Sequence, residues 1–393
     1  MIDGVRIAGI SAGLKRAAKR DVFLAEMKPG TTIAGKLTKS QCPSAPVDWC
    51  RDVLGNGKAR LIIANSGNAN AFTGTLGIQA VQAITTAAAK EFKSQKHEVL
   101  VASTGVIGQI LDPKPICTCL PAAARMLSSE KWLEAADAIK TTDTFAKGAT
   151  RTTDIGGETI RIVGIAKGSG MIAPDMATML GFIFTDAKIP APILQKLLDY
   201  GTERSFNSIT VDSDTSTSDT VLLAASGSVN HSRITSNKDS KLMHFRQALT
   251  EVMIDLATQI VRDGEGASKF VTIDVSGAAS SQAAKRIGLA IANSPLVKTA
   301  LAGEDANWGR IVMAVGKAGE KANRDKLSIS IGGIPITNNG QVIQDYDEEP
   351  VAVHLKNSEV AVSVDVGVGR GRARVWTCDL THGYISINAD YRS

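Results

Sequence analysis

The stretch Lys167-Gly168-Ser169-Gly170-Met171-Ile172-Ala173-Pro174-Asp175-Met176-Ala177-Thr178-Met179-Leu180 sets a threonine between a small-residue loop and an apolar run. A threonine hydroxyl is a weak nucleophile unless a base stands beside it. Breaking the peptide bond between Ala177 and Thr178 would put such a base on the same residue, because a free α-amine has a pKa of about 7.7–8.0, close to working pH. The usual alternative bases are badly placed. His97, His231, His244, His354 and His382 form no HxH, HExxH or HxxxH pair, and the sequence has no GxSxG elbow.

Acyl transfer also needs donors for a developing oxyanion. Ser103-Thr104-Gly105 closes an apolar run, Glu98 to Ala102. A hydroxyl at Thr104 and a backbone N–H at Gly105 can both point at one oxygen, with glycine allowing close approach. Taken alone, the triplet also reads as a strand ending in a turn. Asn65-Ser66-Gly67-Asn68-Ala69-Asn70, after the strand-like run Arg60 to Ala64, is either a polar pocket lining or a plain turn.

Other suggestive clusters fail on context. Gly367-Val368-Gly369-Arg370-Gly371 is followed by a strand-like run, Arg372 to Thr377, rather than the helix a dinucleotide fingerprint requires, so it reads as a hairpin turn. Asp212 to Asp219 is rich in oxygen ligands but lacks the glycine and glutamate spacing of a calcium loop, and reads as a hydrogen-bonded loop. The five cysteines, Cys42, Cys50, Cys117, Cys119 and Cys378, are odd in number and contain no CxxC pair. No disulfide scaffold and no metal site is expected, and reduced thiols point to a reducing compartment.

The elements that must carry these residues alternate irregularly. Helical period runs through about 77–92, 121–139, 193–205, 245–260 and 280–300. Strand-like runs cover about 60–64, 98–102, 159–164, 179–184, 220–224 and 270–275, then 310–315, 327–331, 360–366, 372–377 and 384–387. Helices and strands do not alternate strictly enough for one doubly wound sheet, so the expected class is mixed α/β with sheets packed on each other and covered by helices. The best linker candidate is Lys147 to Gly157.

Composition narrows the function. At 393 residues the chain can bury a large core or form two lobes, and a net charge of +5 without a basic stripe argues against a nucleic-acid partner. No apolar run reaches the length of a membrane span. The N-terminal Lys15, Arg16, Lys19 and Arg20 are mixed with acids and followed by no apolar core, so this segment is expected to be part of the fold rather than a signal.

Eight motifs, in order along essentially the whole chain, carry a family resemblance. They are Asn65 to Asn70, Ser103 to Gly105, Thr141-Thr142-Asp143-Thr144, Ala166 to Leu180, Asp214 to Thr217, Asp263-Gly264-Glu265-Gly266, Asp305 to Arg310 and Ile387 to Ser393. Together they resemble the ornithine acetyltransferases, the glutamate N-acetyltransferases of arginine biosynthesis. The resemblance implies an αββα sandwich, similar in layering to the N-terminal nucleophile hydrolases. It implies self-cleavage between Ala177 and Thr178 into an α fragment, 1–177, and a β fragment, 178–393, intertwined as one catalytic unit and assembled as a heterotetramer of two α and two β chains.

By the same resemblance Thr178 is the nucleophile and Thr104 and Gly105 form the oxyanion hole, while Thr141, Lys167, Thr178, Glu265, Asn388 and Ser393 bind substrate. The implied reaction moves an acetyl group from N2-acetyl-L-ornithine to L-glutamate by a ping-pong route, in the cytoplasm, with no cofactor. Whether acetyl-CoA also donates acetyl groups stays open. The competing readings are a self-processing aminopeptidase or amidohydrolase of the same architecture, and a non-catalytic amino-acid-binding regulatory protein.

Overall fold

The structure, a computed structural model, describes residues 1–15, 19–173 and 179–389. The chain divides into two compact units, one comprising 1–207 with 214–260, the other 208–213 with 261–393. The first unit runs β1 (Val5–Ile10), β2 (Val22–Met27), β3 (Thr32–Leu37), α1 (Ala45–Leu54), β4 (Leu61–Asn68), α2 (Gly74–Glu91), β5 (Val99–Val106), α3 (Lys114–Met126) and α4 (Trp132–Ala138). It continues with β6 (Lys147–Ile155), β7 (Glu158–Lys167), β8 (Leu180–Thr185), α5 (Ala191–Arg204), β9 (Thr220–Ala225) and most of α6 (Met243–Arg262).

Two sheets form its centre, one ordered β1-β2-β4-β5 and the other β3-β9-β8-β7-β6. Side-chain alternation explains their placement. Ile62 and Ala64 of β4 and Leu100 and Ala102 of β5 join Phe182, Phe184, Leu222 and Ala224 of the second sheet in one core. Their neighbours Leu61, Ile63, Val99 and Val101 face the other way, packing with Ala80, Val81, Ile84 and Ala88 of α2 and Ile116 and Leu120 of α3. Strands covered on both faces read as continuous apolar runs, which is why β4, β5, β8 and β9 stand out in the sequence. Phe23 stacks on Phe182 across the two sheets with ring centroids 5.0 Å apart.

The outer face of the second sheet is covered by α5 and α6. Gly164 of β7 lies so close to α6 that a Cβ there would stand 2.7 Å from Leu256 Cδ1. Gln195 of α5 binds both peptide groups of Gly35 at 3.1 Å, pairing the outer strand β3 that would otherwise present open backbone. Helix, sheet, sheet, helix is therefore the layering of the first unit, the expected αββα sandwich. Strands from both sides of position 178 share its second sheet, since β8 and β9 lie between β3 and β7.

The second unit runs β10 (Phe270–Ala278), α7 (Ser281–Ala292), α8 (Pro295–Ala302), α9 (Trp308–Gly316), β11 (Ser328–Ile331), β12 (Ile334–Asn338), β13 (Gln341–Val342), α10 (Glu349–Leu355), β14 (Glu359–Asp365), β15 (Gly371–Cys378) and α11 (His382–Ala389). Its six strands form one sheet ordered β13-β12-β11-β14-β10-β15. The core lies between that sheet and the helices, with Ile287 and Ile291 of α7 in one cluster with Val275 and Val375.

Several expectations change. Residues 310–315 and 384–387, read as strands, belong to helices α9 and α11. The periods expected over 121–139 and 280–300 are each split into two helices, the second split falling at Asn293-Ser294-Pro295, where proline opens α8. The linker candidate Lys147 to Gly157 is strand β6 and the turn that follows, with Gly156 and Gly157 at positive φ. Gly367 to Gly371 does not close a hairpin, because β10 lies between β14 and β15.

Truncating the inter-sheet stack tests the sandwich. Phe182→Ala should cost about 3–5 kcal/mol, read as a lower urea midpoint with an unchanged denaturant slope.

Candidate active site

Four strand ends of the first unit meet at one edge of the sandwich. Thr104 and Gly105 stand at the carboxyl end of β5 and Lys167 at that of β7, while Met179 and Asp219 immediately precede β8 and β9. The pairing explains the convergence: β7 and β8 are antiparallel with Lys167 opposite Leu180, and β8 and β9 are parallel with Leu180 opposite Thr220.

Lys167 reaches from the second sheet to the first, its Nζ donating to Thr104 Oγ1 at 3.1 Å. Both residues are 2% exposed. A hydroxyl that accepts from an ammonium is polarised, and its own proton becomes a stronger donor. Gly105 follows with φ of 132°, and a Cβ there would lie 2.3 Å from the Gly67 carbonyl carbon, so only glycine allows the β4 and β5 backbones to approach this closely. The amide-rich turn after β4 holds that geometry from within: Ser103 Oγ donates to Asn65 Oδ1 at 2.6 Å, and Asn65 Nδ2 donates to the Asn68 carbonyl at 2.8 Å. Asn65 to Asn70 therefore acts as scaffold.

The buried ammonium of Lys167 is balanced by a carboxylate that sequence reasoning assigned no role. Asp143 accepts from Lys147 Nζ at 2.7 Å, from Gly168 N at 2.7 Å and from Thr141 N at 2.9 Å. Burial pushes its carboxyl up, but the charges of Lys167 and Lys147 outweigh burial and hold it below the ordinary carboxylate range. Asp219, fully buried, has the opposite surroundings. Desolvation raises its carboxyl well above the ordinary range, opposed by the Met179 N–H, which it accepts at 2.8 Å, and by the charge of Lys167. The surroundings of the two aspartates thus push their carboxyls in opposite directions.

A cavity of about 840 Å³ adjoins these groups, its lining including Thr141, Asp143, Lys15, Arg20 and Lys140. Lys15 Nζ donates to the carbonyls of Lys140 and Arg20 at 2.7 and 3.2 Å. Burial pulls this lysine down to about 8 against the attraction of Asp21 and Asp137. Asp21 fixes the segment by accepting the backbone N–H groups of Ala12, Leu14 and Lys15.

In the second unit, Glu265 is 8% exposed and accepts from Asn388 Nδ2 of α11 at 2.8 Å. Gly266, at φ 69°, lies against the start of α11, where a Cβ would meet Tyr384 N at 2.3 Å. Of the expected site residues, Thr104, Gly105, Thr141 and Lys167 therefore come together in the first unit and Glu265 with Asn388 in the second. Ala177, Thr178 and Ser393 lie outside the described residues. Among the described residues no cluster of His, Cys, Asp and Glu could hold a metal ion, and the cysteines are unpaired.

A family profile described as ArgJ family matches residues 6–393. This chain belongs to the ArgJ family. Relatives named arginine biosynthesis bifunctional protein ArgJ are 54% identical in Gluconobacter oxydans, covering 100% of this chain and 92% of that protein, and 54% identical in Zymomonas mobilis, covering 100% and 96%. A crystal structure of the protein of that name from Bacillus halodurans is 41% identical with a TM-score of 0.50, covering 52% of this chain and 95% of that chain.

In this ArgJ-family chain, Asp143, Lys147 and Asp219 were not assigned to the site from sequence, because a charged residue carries no local mark of being buried. Asp143 does lie in the motif Thr141 to Thr144, and the acid two residues after Thr141 was the available signal.

Asp143→Asn removes the carboxylate charge that acts on two buried ammonium groups, Lys147 and Lys167. A depressed carboxyl stabilises the fold fully above the unfolded pKa of about 4, and that contribution is lost as pH falls through the folded value. The variant should therefore lose about 3–5 kcal/mol at pH 7. Urea titrations of parent and variant should draw together below about pH 4.

Proposed function

We propose that this chain is a glutamate N-acetyltransferase that cuts itself between Ala177 and Thr178 and then moves an acetyl group from N2-acetyl-L-ornithine to L-glutamate. The observation that carries the reading is the buried hydrogen bond from Lys167 to Thr104, which places a polarised hydroxyl beside Gly105 at the strand ends around Met179. The family supports it, since the full-length relatives carry arginine biosynthesis in their names. The Bacillus halodurans chain, 95% of which matches only 52% of this one, is much shorter, as a fragment of a cut precursor would be.

In this mechanism the Thr178 hydroxyl attacks the acetyl carbonyl while its own α-amine takes the proton. The Thr104 hydroxyl and the Gly105 N–H meet the oxyanion. The amine returns its proton to the departing nitrogen, ornithine leaves, and an acetyl ester remains on Thr178. The α-amine of glutamate then attacks the ester, and N-acetyl-L-glutamate departs with the threonine regenerated.

Lys167 supplies the cation for the α-carboxylate common to both substrates, with Thr141 beside it. The family resemblance assigns Glu265 to a substrate ammonium and adds Asn388 and Ser393 to the binding set. The word bifunctional in the relatives' names supports acetyl-CoA as a second acetyl donor here. The enzyme works in the cytoplasm as two α and two β fragments. No helix among the described residues is long and apolar enough to cross a membrane.

N-terminal sequencing should find two termini in the parent, at residues 1 and 178, and one uncut, inactive chain for Thr178→Ala. With acetylornithine alone the β fragment should gain one acetyl group in intact-mass spectra, and glutamate should discharge it as acetylglutamate. A single terminus in the parent, or acetate release independent of glutamate, would overturn the reading. Acetyl-CoA with glutamate should also yield acetylglutamate, and no product there would restrict the enzyme to acetylornithine.

A further inference from the structure

Asp219 is 0% exposed and stands at the amino end of β9, beside the amino end of β8. Its Oδ1 accepts the N–H of Met179, the peptide group that follows Thr178, and the Thr220 N–H binds the Met179 carbonyl at 3.1 Å. On the other side the Thr38 N–H binds the Asp219 carbonyl at 3.0 Å, so the residue is fixed from two directions. Its second carboxyl oxygen, Oδ2, is buried and meets no hydrogen-bond donor among the described residues. Asp143, in the same site, gathers an ammonium and two backbone N–H groups. A carboxylate taken from water without such partners is strongly disfavoured, whereas a carboxylic acid is tolerated.

Resting on the proposed self-cleavage, we propose that Asp219 is a positioning residue that works as a neutral carboxylic acid, anchoring the backbone directly after Thr178 without setting a negative charge beside the amine that must act as base. An anion there would hold the α-amine as an ammonium and remove the base from Thr178. The neutral acid keeps the anchor and leaves the amine free. Among the described residues the charged group that acts on Asp219 is the ammonium of Lys167 on β7, and the contacts from β8 and from the segment after β3 are the uncharged peptide groups of Met179 and Thr38.

The decisive comparison is Asp219→Asn, which replaces a neutral acid by a neutral carboxamide of the same shape and retains an acceptor for Met179 N–H. Cleavage at 177/178 and acetyl transfer should stay within about threefold of the parent, and the acidic limb of the kcat/KM profile should not move. Asp219→Ala, which removes the anchor, should slow cleavage by about tenfold or more, and Asn at the same position should restore it. The infrared difference between cleaved parent and Asp219→Asn at neutral pH should show the carbonyl stretch of a protonated carboxylic acid. A loss on the order of a hundredfold in Asp219→Asn, an acidic limb displaced by about one pH unit, or a carboxylate band in its place would overturn the proposal. Failure of the parent itself to cleave would instead overturn the reading on which it rests.

Discussion

Lys167 carries its ammonium into a buried place, and the ends of both sheets of the first unit are arranged around that charge. An unpaired ammonium there would deprotonate or pull the chain apart. Asp143 prevents both outcomes, and its hydrogen bonds fix three pieces of backbone at once: the segment at Thr141, the start of β6 through Lys147, and the exit of β7 at Gly168. Among the described residues two lysines are set against one aspartate held low, with Asp219 pushed toward its neutral form, and this balance leaves a positive field. Such a field suits a bound carboxylate and a developing oxyanion alike.

The sandwich makes that arrangement possible because both sheets end at the same edge with small residues. Gly67 and Gly105 let β4 and β5 close together at their carboxyl ends, turning Thr104 toward the second sheet. Further back, the two sheets are held apart by larger side chains, with Phe23 and Phe182 stacked between them. Packing therefore fixes the sheets where aromatic rings fill the space, and the Lys167–Thr104 contact crosses between them at the rim. The rim is where catalysis needs charge, and the core behind it supplies rigidity rather than chemistry.

Much of this was legible in the sequence for one physical reason. Strands buried on both faces, such as Leu61 to Ala64 and Leu180 to Thr185, are unbroken apolar runs, and amphipathic helices such as α6 show their period over twenty residues. Short segments were misread where local composition and final structure diverge. Ile311, Val312 and Val315 favour strands by type, yet Ile311, Ala314 and Val315 form one buried face of α9. Tyr384 to Ile387 alternates like a strand, but Thr381 accepts the N–H groups of Gly383 and Tyr384 and so starts a helix. At the site, motif order pointed to Thr104, Gly105, Thr141 and Lys167, whereas Asp143, Lys147 and Asp219 emerged only from burial. Burial is a property of the assembled sheets, not of any local run of residues.

The same sheets would hold the chain together if it were cut before Thr178. β8 is paired along its full length on both sides, from Leu180 to Thr185 against β7 and again against β9. All six of its residues are buried. A break before Thr178 would leave these ladders untouched, and the backbone at Met179 would still be held by Asp219 and Thr220. The two fragments would share one sheet, with β3, β6 and β7 on one side of the cut in sequence and β8 and β9 on the other. Separating them would require exposing the apolar faces of the central strands, so the covalent bond is dispensable where the sheet is not. After such a cut the peptide group of Met179 would stay tied to a strand already locked in register, without the freedom that usually makes a chain terminus a poor place for catalysis.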